Sequence, residues 1–353
     1  MIKNKLNFQP YKFIKNNRKF IKFVTEIEDW VYKKKIDKVS INSPIFVSGL
    51  ARSGTTYVTN LINNSEEVAS IKYENLPFIE LPMFWKYINK FYYIYHPTKK
   101  RVHGDGIDVD LSSADAFDEY FWKFYMHKYN DNFSILIDEN FENEDLEKKL
   151  KNNIKKILLI NKKNRYLTKG NYNLFRIPWL TKIFPNSKFI IMYRDPISQI
   201  NSMNKVHNIF LNEEKKNIFF SEYLDFLGHY EFGSNRKKIM YNSDNINIKE
   251  KNDFEYFLIE WIKVNKFIFK IYNNYKKNII LINNKNLRKN FEETKKLIFE
   301  FCNLNNVNLK DDNNDNNDNS YSVENNFKEL NIINPELLND SEKIYNQLQS
   351  SLE

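Results

Sequence analysis

Short apolar runs separated by amphipathic stretches organise this chain. Residues 44–49 (Pro-Ile-Phe-Val-Ser-Gly) are apolar up to a closing glycine and too few for a core helix, and Val58, Leu61 and Ile62 within residues 57–64 then recur at helical spacing. The pattern predicts a strand, a glycine-bearing loop and a helix in succession. Residues 188–193 (Lys-Phe-Ile-Ile-Met-Tyr) form a second buried-strand signal, rich in β-formers, after the turn Phe184-Pro185-Asn186-Ser187. Asp195 then reads as a helix N-cap and Pro196 as the first helical residue. A third strand is expected at residues 278–283, after the long amphipathic segment 254–275. Strands alternating with helices predict an α/β class, a parallel sheet with helices on both faces.

Composition narrows the class. A chain of 353 residues with 42% hydrophobic and 16% aromatic content can bury a full core, which excludes disorder over most of its length. Seven glycines and one cysteine exclude collagen-like, disulfide-rich and Cys-ligated zinc architectures. The excess of 54 Lys+Arg over 45 Asp+Glu gives a net charge of +9, suited to an anionic partner. Lys, Asn, Ile, Tyr and Phe are all abundant, as in drift toward AT-rich codons, so much of that charge needs no functional explanation. No run of about twenty apolar residues predicts a membrane-spanning helix. The N-terminus alternates Lys and Asn with aromatics and lacks the pattern of a signal peptide. With Cys302 unpaired, a cytoplasmic location is expected.

The chemistry starts at Gly49-Leu50-Ala51-Arg52-Ser53-Gly54-Thr55-Thr56, which has the spacing of a P-loop, where backbone N–H groups and a helix N-terminus surround a phosphate. The lysine that a Walker A loop carries is replaced by Thr55, and a cation, Arg52, lies three residues earlier. A nucleoside triphosphatase sets that lysine and Mg²⁺ against highly charged β and γ phosphates. Arg52 and Thr55 suit a less charged terminal group.

Residues 44–56 resemble the 5′-phosphosulfate loop of sulfotransferases that use 3′-phosphoadenosine 5′-phosphosulfate, most of all the Arg-Ser-Gly-Thr-Thr branch that includes tyrosylprotein sulfotransferases and bacterial relatives. The resemblance implies that Arg52, Ser53, Gly54, Thr55 and Thr56 bind that donor, with Arg52 also catalytic, and that no metal is needed. The family reads the donor's 3′-phosphate with an arginine at a strand end and a serine eight residues on; Arg194 and Ser202 match that spacing. Arg194 can give two hydrogen bonds to one phosphate, and Ser202 lies one turn after Ser198. Residues 165–189 are similar to the family's lead-in to this strand, and place Lys169 at the cleft mouth as a donor or substrate contact, with a solvated lysine as the plainer alternative. Residues 281–287 occupy the place of the family's Tyr-Glu-Asp-Leu segment without its acid and carry no assigned role.

Transfer to a hydroxyl needs a base within hydrogen-bond reach of the acceptor proton. The resemblance implies a glutamate shortly after the loop helix. Glu74 stands near that position, one residue further from the loop than expected, and Glu80 is the next candidate; for either, a solvated surface carboxylate is the alternative. His103 is a second candidate base, because glycines flank Asp105 in Arg101-Val102-His103-Gly104-Asp105-Gly106 and suggest a tight loop. Asp105 would orient the imidazole or bind the acceptor; a capping turn is the bland reading. Five scattered histidines and one cysteine offer no metal-ligand spacing.

The expected organisation is a helical N-terminal extension over 1–40 and a sulfotransferase-like α/β domain over 41–308. Within it, residues 75–165 are a mainly helical insertion on the substrate side. A disordered Asn/Asp linker over 309–325 and a helical segment over 326–353 would follow. The expected function is transfer of a sulfuryl group to a hydroxyl acceptor, such as a carbohydrate, a lipid-linked glycan, or another alcohol or phenol. The competing readings are a P-loop kinase or NTPase with Asp195 on Mg²⁺, a basic nucleic-acid binder without catalysis, and a sulfotransferase fold without activity. No nucleic-acid-binding motif is visible, and the charge is spread along the chain.

Overall fold

A computed structural model of the chain describes residues 5–92, 99–100, 108–126, 136–239, 252–305 and 333–351. Strands β1 (Ile45–Ser48), β2 (Val68–Ala69), β5 (Arg165–Lys169), β6 (Lys188–Tyr193) and β7 (Ile279–Asn283) form one five-stranded sheet in the order β2-β5-β1-β6-β7. Every pairing in it is parallel. A separate antiparallel pair is formed by β3 (Lys99–Lys100) and β4 (Asp108–Val109).

The sheet is buried on both faces, and the strand period of two divides its side chains between them. Ile45 and Val47 of β1, Leu167 of β5, Ile190 and Met192 of β6 and Ile282 of β7 share one apolar cluster. Val58, Leu61 and Ile62 of helix Thr55–Asn63 and Ile298, Phe299 and Cys302 of helix Phe291–Cys302 complete that layer. On the opposite face Phe46, Tyr166, Phe189, Ile191, Tyr193 and Leu281 enter a larger core. Helices Glu144–Asn161, Ile177–Ile183, Pro196–Lys216 and Asp253–Asn274 are among those that contribute to that core. Helix Pro335–Ser350 packs along Asp253–Asn274.

Helices Lys5–Asn16 and Arg18–Ile36 precede the sheet, and helices Pro82–Tyr92, Asp118–Tyr125 and Glu144–Asn161 lie between β2 and β5. A buried ion pair anchors this stretch to the strand side: Arg176, after β5, holds both carboxylate oxygens of Glu119, at 3.0 and 2.5 Å. The Asn/Asp-rich segment expected as a linker lies outside the described residues.

Candidate active site

The site forms where β1 and β6, adjacent and parallel, end at the same edge. Crossing that edge makes the chain turn sharply: Gly49 has φ 138° and Gly54 φ 105°, both in the region open to glycine. A Cβ at Gly49 would strike the Met192 carbonyl oxygen of β6, and one at Gly54 would come within 2.6 Å of the Asn284 amide nitrogen. Between them Arg52 is itself left-handed, at φ 70°. That backbone state costs roughly 1–2 kcal/mol for a residue with a Cβ, so its surroundings must hold it.

They do so from three elements. Gln199, buried on helix Pro196–Lys216, donates from Nε2 to the carbonyls of Leu50 (3.2 Å) and Ala51 (2.9 Å), while its Oε1 accepts from Trp261 Nε1 at 3.0 Å. Asn284, just past β7, donates to the Ser53 carbonyl at 3.1 Å. Arg194, just past β6, donates to the Arg52 carbonyl at 3.3 Å. Gly54 then caps helix Thr55–Asn63, whose first-turn N–H groups face the loop.

Gln199→Ala would strip three bonds from buried groups; the Leu50 carbonyl keeps the Ser53 N–H, while the Ala51 carbonyl and the Trp261 indole N–H lose their partner. Each such orphan costs about 1–3 kcal/mol, so a loss of about 2–4 kcal/mol is expected, read as a lower denaturation midpoint at constant slope. A change below about 0.5 kcal/mol would show that the clamp does not hold the loop.

The predicted donor-binding side chains converge. Arg52 Nε donates to Ser202 Oγ at 3.1 Å, so the loop cation, the helix serine and Arg194 form one connected group across the ends of β1 and β6. Arg52, Arg194 and Ser202 are half-buried; Ser53, Thr55 and Thr56 are buried. Ser53 Oγ is buried without a hydrogen-bond partner among the described residues. Asp195 caps the following helix, accepting from Ser198 N at 2.8 Å, as expected.

Lys169, expected as a donor or substrate contact at the cleft mouth with a solvated lysine as the alternative, is not solvated. It is buried at the end of β5, and its Nζ donates to Thr56 Oγ1 and to Asp115 Oδ1, both at 2.8 Å. The cause is Asp115, which supplies the counter-charge that a buried ammonium requires. Tyr73 OH donates to the other Asp115 oxygen at 3.1 Å. The next residue, Glu74, lies half-buried in the 3-10 turn Tyr73–Asn75; its N–H donates to Leu111 O at 3.0 Å, and its carbonyl accepts from Trp85 Nε1 at 3.0 Å. Three hydrogen bonds thus link the turn that carries Glu74 to the first turn of the loop helix.

Glu80 is buried, not solvated as its bland reading had it. Desolvation pushes its carboxyl up to about 8, and it accepts from Tyr120 OH. His103 and Asp105 lie outside the described residues. Among the described residues no group of three or more His, Cys, Asp or Glu could hold a metal ion.

Sequence reasoning missed Gln199, Asp115 and Asn284. Gln199 could have been suspected as an amide lying between Arg194 and Ser202 on the helix that follows β6. Asp115 and Asn284 carry no spacing signal, because their partners lie 54 and 231 residues away in the chain.

A parallel sheet with a glycine loop and two arginines at the ends of adjacent strands is the P-loop-type α/β class of fold. Residues 44–231, more than half of the chain, match the family model described as the sulfotransferase family. The chain belongs to that family and is an enzyme of the transferase class. Its fold is similar to that of sulfotransferase STF1 from Mycobacterium tuberculosis, at 11% identity and a TM-score of 0.52, covering 80% of this chain and 73% of that one. It is also similar to sulfotransferase STF9 from Mycobacterium avium, at 10% identity and a TM-score of 0.50, covering 79% and 68%. No curated protein matches the chain by sequence. No helix among the described residues is long and apolar enough to cross a membrane.

Proposed function

We propose that the enzyme transfers a sulfuryl group from 3′-phosphoadenosine 5′-phosphosulfate to a hydroxyl acceptor. The observation that carries this reading is the joining of Arg52, Ser202 and Arg194 at the edge where the loop opens, with threonine in place of the Walker lysine. The loop fits the donor: the buried Ser53 Oγ has no hydrogen-bond partner among the described residues, and two half-buried arginines supply charge at the rim.

In this reading Arg194 and Ser202 hold the 3′-phosphate, and the loop N–H groups with Thr55 and Thr56 surround the 5′-phosphosulfate. Lys169, fixed by Asp115 against Thr56, adds a buried cation next to the loop helix. Glu74 takes the acceptor's proton as the hydroxyl oxygen bonds to sulfur and the bond from sulfur to the 5′-phosphate oxygen breaks. Arg52 and the loop N–H groups stabilise the charge gathering on that leaving oxygen. The products are a sulfate ester and adenosine 3′,5′-bisphosphate. The link from Tyr73 through Asp115 to Lys169 favours Glu74 over His103 as the base. Acceptors such as carbohydrates, lipid-linked glycans and phenols all meet the chemical requirement of an ionisable hydroxyl.

Calorimetry tests the donor site. Adenosine 3′,5′-bisphosphate is expected to bind more tightly than ATP with Mg²⁺; the reverse order would favour a kinase or NTPase. Arg194→Ala is expected to weaken the bisphosphate by about 10- to 100-fold, the weight of charge-assisted hydrogen bonds, and to leave adenosine 5′-monophosphate nearly unchanged. Equal losses for both ligands would remove Arg194 from the 3′-phosphate.

A further inference from the structure

The helix Arg18–Ile36 is seated on the protein by one face and carries an apolar stripe on the other. Ile21, Thr25, Glu28 and Ile36 are buried, and Glu28 accepts from Phe84 N at 2.7 Å and from the buried Lys156 Nζ at 2.8 Å. On the opposite side Phe20, Phe23, Ile27, Trp30 and Val31 are 53, 58, 38, 78 and 50% exposed. At 100° per residue these five fall within one arc of about a quarter turn, so they form a single stripe and not scattered exposures. Isolated exposed apolar residues are ordinary; a contiguous aromatic stripe on a firmly anchored helix is not.

The charge around the stripe says what covers it. Lys19, Lys33, Lys34, Lys35 and Lys38 are all exposed along the same helix and just beyond it. The exposed acids there are Glu26, which lies 3.8 Å from Lys149, and Asp37. A second copy pairing through this stripe would bring like charges together. An acidic surface with an apolar interior complements both features, as for helices that lie in a membrane interface with aromatics inward and lysines at the headgroups.

We propose that this helix docks the enzyme on an anionic lipid bilayer, with Phe20, Phe23, Ile27, Trp30 and Val31 entering the headgroup boundary and the lysines meeting lipid phosphates. Glu28 ties the docking helix to Phe84, one residue before Trp85, whose indole holds the Glu74 carbonyl. The proposal is independent of the sulfuryl-transfer reading.

The probe is a phosphatidylcholine vesicle with or without phosphatidylglycerol, used with the full chain. Trp85, Trp122, Trp179 and Trp261 are at most 5% exposed, so iodide quenching of tryptophan emission reports Trp30. Vesicles containing phosphatidylglycerol are expected to sediment the protein and shield Trp30, with binding weakened by salt. Phe23→Ser with Trp30→Ser should lower partitioning at least about tenfold. A Lys33→Glu, Lys34→Glu, Lys35→Glu variant should lose the preference for anionic lipid, at about fivefold per lysine. Both variants alter exposed side chains, so unchanged thermal unfolding should accompany the loss. Absence of vesicle binding, equal binding by the variants, or a soluble dimer that Trp30→Ser disperses would each overturn the proposal.

Discussion

Arg52→Ala is expected to lower turnover by two or more orders of magnitude while leaving the fold intact. Removing one contact of oxyanion type removes about 3–4 kcal/mol of transition-state stabilisation, and each 1.36 kcal/mol is about a tenfold change in rate. Stability should change little, because alanine also carries a Cβ and inherits the same left-handed backbone at φ 70°, which Arg194 holds through the residue 52 carbonyl. What the variant loses is the guanidinium beside Ser202 Oγ. Arg52→Lys should recover part of the rate, since it restores charge without the planar fork. Single-turnover sulfuryl transfer, using labelled donor and a panel of hydroxyl acceptors, is the measurement. Near-normal turnover of Arg52→Ala would remove Arg52 from the catalytic group.

Glu74→Gln should lower kcat by about 10²- to 10⁴-fold, the range for loss of a general base, with KM for the donor little changed. Glutamine keeps the shape of the side chain, and the turn is held by backbone groups: the residue 74 N–H on Leu111 and its carbonyl under Trp85. A lost rate in this variant therefore reports chemistry and not a collapsed turn. His103→Asn serves as the comparison and should cost less than about tenfold. The opposite pattern would transfer the base assignment to His103, with Asp105 as its orienting partner.

Lys169 shows how burial changes a residue's meaning. Its family position suggests a cation at the cleft, yet the structure pairs it with Asp115 beneath the loop helix. Two groups that each need a counter-charge satisfy one another, and the ammonium also donates to Thr56 Oγ1. The position is thus part of the loop's support.

The sequence alone determined the class of the fold and the donor-side motif. β1, β6 and β7 are legible because short runs such as Phe189-Ile190-Ile191-Met192 are buried on both sheet faces and read as apolar without interruption. The loop is legible because sharp turns and a helix N-terminus demand local residues, Gly49, Gly54 and Thr55, at fixed spacing. The remaining two strands of the sheet gave no such signal. β2 has two residues, and β5 runs from Arg165 to Lys169, with a charge at each end that only tertiary partners allow to be buried. Arg165 donates to the carbonyls of Asn303 and Ser43, and Lys169 bonds to Asp115.

Only the tertiary structure decided which side chains meet. Ser202 reaches Arg52 across 150 residues, Asn284 reaches Ser53 across 231, and Gln199 ties the loop to Trp261. Local periodicity records whether a position is buried, because burial follows from the geometry of one strand or helix. It does not record the partner, because hydrogen bonds between distant segments exist only after the sheet has set β5, β1 and β6 side by side.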